Sequence, residues 1–146
     1  WSPMSLTILD KGTDVTDICS NVDFDTMASP GSWVVNPDWA AQNADVIVRF
    51  NRAMFKAMDF AAAATTDDAV AEEVAGYVGA ITGLDVESTI AQRYDGSWLT
   101  SAQVLEMIDS GKLVDYYNAQ QTNFGDAAGP LKADEFVLVD LMVNAK

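Results

Sequence analysis

The chain has 146 residues, enough for one domain that buries about 70% of its unfolded surface. Hydrophobic residues make up 49% of it and aromatic residues 10%, which excludes a disordered acidic tail. With 8 Lys and Arg against 22 Asp and Glu, the net charge of −14 repels phosphate backbones and anionic lipid, and so argues against nucleic acid and membrane surfaces as partners.

Ser2-Pro3 places a hydroxyl cap before a proline at the first helical position. A helix is predicted over Met4, Leu6, Ile8 and Leu9, ending near Gly12. Val15 to Cys19 is a candidate strand, with Cys19 expected as a small core residue rather than a reactive thiol. Asn21 to Gly31, rich in Asn, Asp, Ser, Pro and Gly, reads as a loop. Trp33-Val34-Val35 is the clearer strand, three bulky residues between turn signals, as expected where both sheet faces are covered.

Asn36-Pro37-Asp38 repeats the opening grammar of Ser2-Pro3 and starts a helix, and a second start follows at Asn43. The helix from Ala44 to Ala63 is expected to bury Val46, Ile47, Phe50, Ala53, Met54, Ala57, Phe60 and Ala61. Arg49, Arg52 and Lys56 would form its solvated side. Thr65-Thr66-Asp67-Asp68 caps another helix with Val70, Val74, Tyr77, Val78 and Ile81 inward, stopped by Gly83. Asp85 to Arg93 reads as a short helix ending near Gly96. Thr100 and Gln103 have capping-box spacing and open a helix through Val104, Leu105 and Ile108 that Gly111 closes. Leu113 to Phe124 is predicted helical, and Phe136 to Val143 a short helix or extended tail. The fold class is therefore α/β, helix-dominated, with too few strands here to complete a sheet.

Histidine is absent, which excludes Ser-His-Asp and Cys-His nucleophile systems along with the commonest transition-metal ligand. Neither phosphate-loop glycine spacing occurs, and Asp14, Asp17, Asp23 and Asp25 lack the spacing and closing Glu of a calcium loop. One cysteine permits no disulfide within the chain and no structural zinc site. The pairs Asp67-Asp68 and Glu72-Glu73 could serve as acid and base, but at a helix start they read as capping and solubility. No catalytic residue, metal or cofactor is therefore expected, and an enzyme using facing carboxylates ranks third among the readings. No apolar run is long enough to span a membrane, and no stretch has the pattern of a secretory leader. The start on Trp1 rather than Met leads to the expectation of preceding residues, removed with a leader or by an internal cut.

Binding has better support. Trp1 stands before the Ser2-Pro3 helix start, whose unpaired N–H groups suit a polar or anionic head group. Ser29, Gly31, Ser32 and Trp33 lie at the mouth of the expected strand, and aromatic walls with a few donors suit a small-molecule cleft. On composition alone, Trp1 and Trp33 read rather as ordinary core or lobe-packing residues.

Trp1-Ser2-Pro3 with its Leu-rich helix and Gly12 resembles a W-x-P segment of ABC-importer substrate-binding proteins, of the nitrate/sulfonate/taurine and thiamine-precursor type. Trp33-Val34-Val35, Asp38-Trp39-Ala40 and Asn43-Ala44-Asp45-Val46 to Ala53 are similar to that family's strand, short helix and N-P-E-x-V…F-x-R-A helix, with Ala44 replacing the usual proline. Gly129-Pro130-Leu131 through Asp140 is similar to its tail.

The resemblance implies the C-terminal half of a two-lobed, type II periplasmic-binding-protein fold. Residues 1–30 would be a second-lobe segment carrying the cleft's helix start, and 31–146 the crossover strand and helical remainder. Trp1, Ser2 and Pro3 would line the second lobe's side of the cleft, and Ser29, Ser32 and Trp33 would lie near the crossover. The implied function is capture of a small polar or anionic solute and delivery to a membrane permease. The implied location is periplasmic or extracellular, held at the membrane through the transporter or a lipid anchor, with an N-terminal half of the same protein completing the pocket. The alternative is a stand-alone acidic helical module that holds a protein partner on its apolar faces.

Overall fold

The computed structural model describes residues 31–94 and 96–146, together with 8, 9, 11, 12, 14–16, 18, 19 and 23. The described chain runs through helices α1 (Pro37–Gln42), α2 (Ala44–Ala63), α3 (Asp68–Thr82) and α4 (Val86–Ala91), the last continuing into a 3-10 turn at Gln92–Tyr94. Then come α5 (Ser101–Asp109), α6 (Lys112–Phe124), a 3-10 turn at Gly125–Ala128, α7 (Ala133–Phe136) and α8 (Val139–Val143).

The local signals sit where their chemistry puts them. Asn36 accepts from the backbone N–H groups of Asp38 and Trp39 at 2.9 and 3.1 Å, and Pro37 occupies the first turn of α1. Asp67 caps α3 through the N–H groups of Ala69 and Val70, and Gly83 closes that helix with φ at 75°. Thr100 and Gln103 form the reciprocal capping box at the start of α5. Gly111, with φ at 76°, turns the chain from α5 into α6.

The sheet is where expectation fails. Among the described residues there is no β-strand, so the α/β class and the type II periplasmic-binding-protein fold are both overturned. Trp33 and Val34 are 75% and 95% exposed, the reverse of a strand covered on both faces. A strand needs a neighbour for its backbone N–H and C=O groups, and no described segment supplies one. Trp33 instead sets its ring edge-on against Phe50 of α2, with centroids 5.4 Å apart. The described residues of the Val15 to Cys19 stretch are likewise not in a strand, and Cys19 is exposed rather than part of a core. At the start of the chain, Gly12 donates its N–H to the carbonyl of Ile8, where a helix end was expected.

Helix α2 is the central element, and it buries a different stripe from the predicted one. Phe55 is its buried residue, with Val48 and Met58 partly buried beside it, whereas Val46, Phe50 and Phe60 are exposed. Phe55 meets Val104 of α5 and Ala145 beyond α8, and Leu105, Ile108 and Met142 pack around that centre. Polar groups fix the rotation. Asn51 donates to the carbonyl of Leu141 at 3.1 Å, and Arg52 reaches the carbonyls of Ala145 and Asn144. A guanidinium at the carbonyl end of α8 is electrostatically well placed, so Arg52 docks a helix rather than only facing solvent. Arg49 does lie on the surface, paired with Asp45 one turn earlier at 3.0 Å.

Helix α3 is also turned relative to expectation. It buries the small Ala71 and Ala75, and leaves Tyr77, Val78 and Ile81 exposed. Alanine lets a neighbouring helix approach closely, and α4 and α2 both pack on this element. The acidic pairs near its start are engaged locally. Asp68 binds Arg93 at 2.8 Å, and Glu73 accepts from the Tyr77 hydroxyl at 2.9 Å, which pushes that phenol up.

One unanticipated contact joins α2 to α5. Asp59 accepts from both the backbone N–H and the hydroxyl of Ser101, at 2.7 and 2.8 Å, adding a carboxylate to a helix N-terminus. Asp59→Ala is expected to cost roughly 0.5–2 kcal/mol, the usual loss for a helix-capping oxygen. Faster amide exchange at Ser101 would report it; unchanged exchange there would mean that Asp59 contributes nothing.

Candidate functional site

Helix α6 carries Tyr117, Gln120, Gln121 and Phe124 at offsets of three, four and seven, which places all four on one face. Against that face lie Ser32 from the segment before α1, Ala128 from the second 3-10 turn and Phe136 from α7. Together they line a shallow, open cleft of about 280 Å³. Its lining, among the described residues, consists of rings, amides, a hydroxyl pair and a methyl group, without a charged side chain.

Ser32 is tied in by a hydrogen bond between its hydroxyl and that of Tyr117, 2.6 Å apart. The Tyr117 ring stands edge-on to Phe136, with centroids 5.9 Å apart and planes at 89°. Phe136 is held in place by the anchoring of α7, since Ala133 is completely buried and its N–H donates to the Asn118 side chain at 3.2 Å. Gln121 donates to the Leu131 carbonyl, tying the end of α6 to the loop before α7. Burial pushes the neighbouring Tyr116 phenol up; its hydrogen bond with Gln120 opposes this, and Tyr117 adds a smaller push in the same direction.

Of the six residues expected to bind a ligand, Ser32 lies in this cleft. Trp33 does not, because it turns the other way, onto Phe50. Trp1, Ser2, Pro3 and Ser29 lie outside the described residues. Sequence reasoning missed the α6 face entirely. Its signal was present in the spacing of Tyr117, Gln120, Gln121 and Phe124, where two amides lie between two rings on a helix otherwise read only for helicity.

A larger cleft of about 480 Å³ lies over the break between α7 and α8, floored by Val114, Val137, Leu138, Val139 and Leu141 and rimmed by Asp134, Glu135 and Asp140. The Glu135 carboxylate accepts from the Lys132 N–H at 2.8 Å, closing the start of α7. Among the described residues no group of three or more acidic, His or Cys side chains is placed to hold a metal ion. Among them, too, no helix is long and apolar enough to cross a membrane. This larger groove lacks the converging hydroxyls and amides of the Ser32 cleft, which makes the smaller one the better candidate site.

No family model matches the chain, and neither a curated protein nor a solved structure matches it.

Proposed function

We propose that this chain is a solute-binding component of an uptake system, holding a small polar organic molecule without chemistry of its own. The observation that carries the reading is the Ser32–Tyr117 hydrogen bond at the rim of a ring-and-amide cleft. It joins residues 85 positions apart into one site, with converging donors and acceptors and apolar walls. A membrane permease as partner and a periplasmic or extracellular location are carried over from the family resemblance, whose two-lobed fold is not retained. The reading rests on the cleft and does not require a sheet.

A second reading is favoured by a different observation. Val34 before α1, Tyr77 and Ile81 on α3 and Val86 on α4 are all exposed apolar or aromatic side chains. An acidic helical module that holds a protein partner would use such surfaces.

Thermal unfolding with nitrate, sulfonates, taurine, pyrimidines and related small solutes separates the two. At a concentration about 100 times Kd, a bound solute should add about 2.7 kcal/mol of stability, and Tyr117→Phe should reduce that gain. If no solute raises the melting temperature and Tyr117→Phe behaves as the parent throughout, solute capture is sunk and the interaction module stands.

A further inference from the structure

We infer that the Ser32 cleft selects by charge, taking an uncharged solute with a flat unsaturated ring and an amide-like edge and rejecting its anionic counterpart; this rests on the solute-binding reading above. None of the chain's 8 Lys and Arg lines the cleft, and among the described residues neither does any carboxylate. An anion entering would lose hydration without meeting a cation, inside the field of a chain with net charge −14. Among the described residues no carboxylate is placed to replace the hydration a cation would lose there.

A neutral ring meets no such cost. Tyr117 and Phe136 stand nearly perpendicular, so a flat solute stacked on one presents its edge or face to the other in a favoured geometry. Phe124, 67% exposed, offers a third aromatic wall one turn beyond Gln120. Gln121 gives one N–H to the Leu131 carbonyl and keeps a second N–H and its carbonyl, and the Tyr117 hydroxyl has lone pairs beyond its bond with Ser32; that mixture matches the N–H and C=O edge of an amide better than it matches an oxyanion. The volume of about 280 Å³ lies just under the ~300–1,000 Å³ of ordinary ligand sites, which suits a single substituted ring.

Matched probes isolate charge from shape: nicotinamide and benzamide against nicotinate and benzenesulfonate, at one ionic strength, by thermal shift and ligand-observed NMR. The neutral amides are expected to bind at least about tenfold more tightly than the anions, equivalent to one decade in Kd. Phe124→Ala, which removes an exposed ring, should weaken nicotinamide roughly threefold to tenfold through lost stacking while leaving the melting temperature without ligand unchanged. Anions binding as well as the amides would overturn charge selection and leave the solute-binding reading intact. So would failure of all four probes while nitrate, a sulfonate or taurine of the solute panel binds, whereas a neutral pyrimidine binding alone would support charge selection. Failure of all four probes and of that whole panel would overturn both.

Discussion

Phe55→Ala is expected to remove about 3–5 kcal/mol of folding stability, the largest effect of any single truncation among the described residues. Phe55 is only 7% exposed and sits where α2, α5 and the residues after α8 meet. Its ring has no large fully buried neighbour among the described residues to close over the cavity, because the other buried centres are Val104 and several alanines. Domains of this size hold only about 5–15 kcal/mol in total, so the variant should lie close to its unfolding threshold. Urea denaturation measures the loss as a fall in midpoint at constant slope. Phe50→Ala is the control, since that residue is exposed and its ring partner is the still more exposed Trp33. A loss at Phe50 equal to that at Phe55 would mean that α2 buries the stripe its sequence first suggests.

Ala133→Leu should cost about 1–3 kcal/mol and also abolish solute binding, although Ala133 does not line the cleft. The residue begins α7 and is completely buried against α6, with its N–H bound to Asn118. A larger side chain there must push α7 outward, and α7 carries Phe136 away from Tyr117. The expected signature is a lowered melting temperature together with loss of ligand-induced stabilisation. Normal binding by the destabilised variant would show that the Phe136 wall is not part of the site.

What the sequence discloses divides by range. Asn36-Pro37, Asp67, Gly83, Thr100 with Gln103, and Gly111 were legible because capping chemistry is settled within four residues. The buried stripe of α2 was not, because its apolar residues spread over a broad arc and both Phe50 and Phe55 fit a three-four pattern. The choice is made by contacts of Asn51, Arg52 and Phe55 with Leu141 to Ala145, some 90 residues away in sequence. Trp33-Val34-Val35 has strand composition, but pairing is decided by a neighbour that composition cannot supply. In the site, the rings and amides of α6 could have been read from their spacing. The Ser32–Tyr117 bond could not, since it depends on how the segment before α1 crosses α6.

The meeting of Phe55, Val104 and Ala145 also sets a timetable for the chain at the ribosome. Helix α2 can form as soon as it is made, but its core partners arrive 49 and 90 residues later. At about 5–20 residues per second, Phe55 waits roughly 5–20 s before Ala145 is even synthesised. Until Val104 emerges, about halfway through that interval, the Phe55 face of the longest described helix lacks its core partners, and chaperones that recognise exposed apolar helices have their opportunity then. The carbonyl contacts of Arg52 form only after Asn144 and Ala145 emerge, so they secure the packing of α8 on α2 and cannot guide its earlier steps.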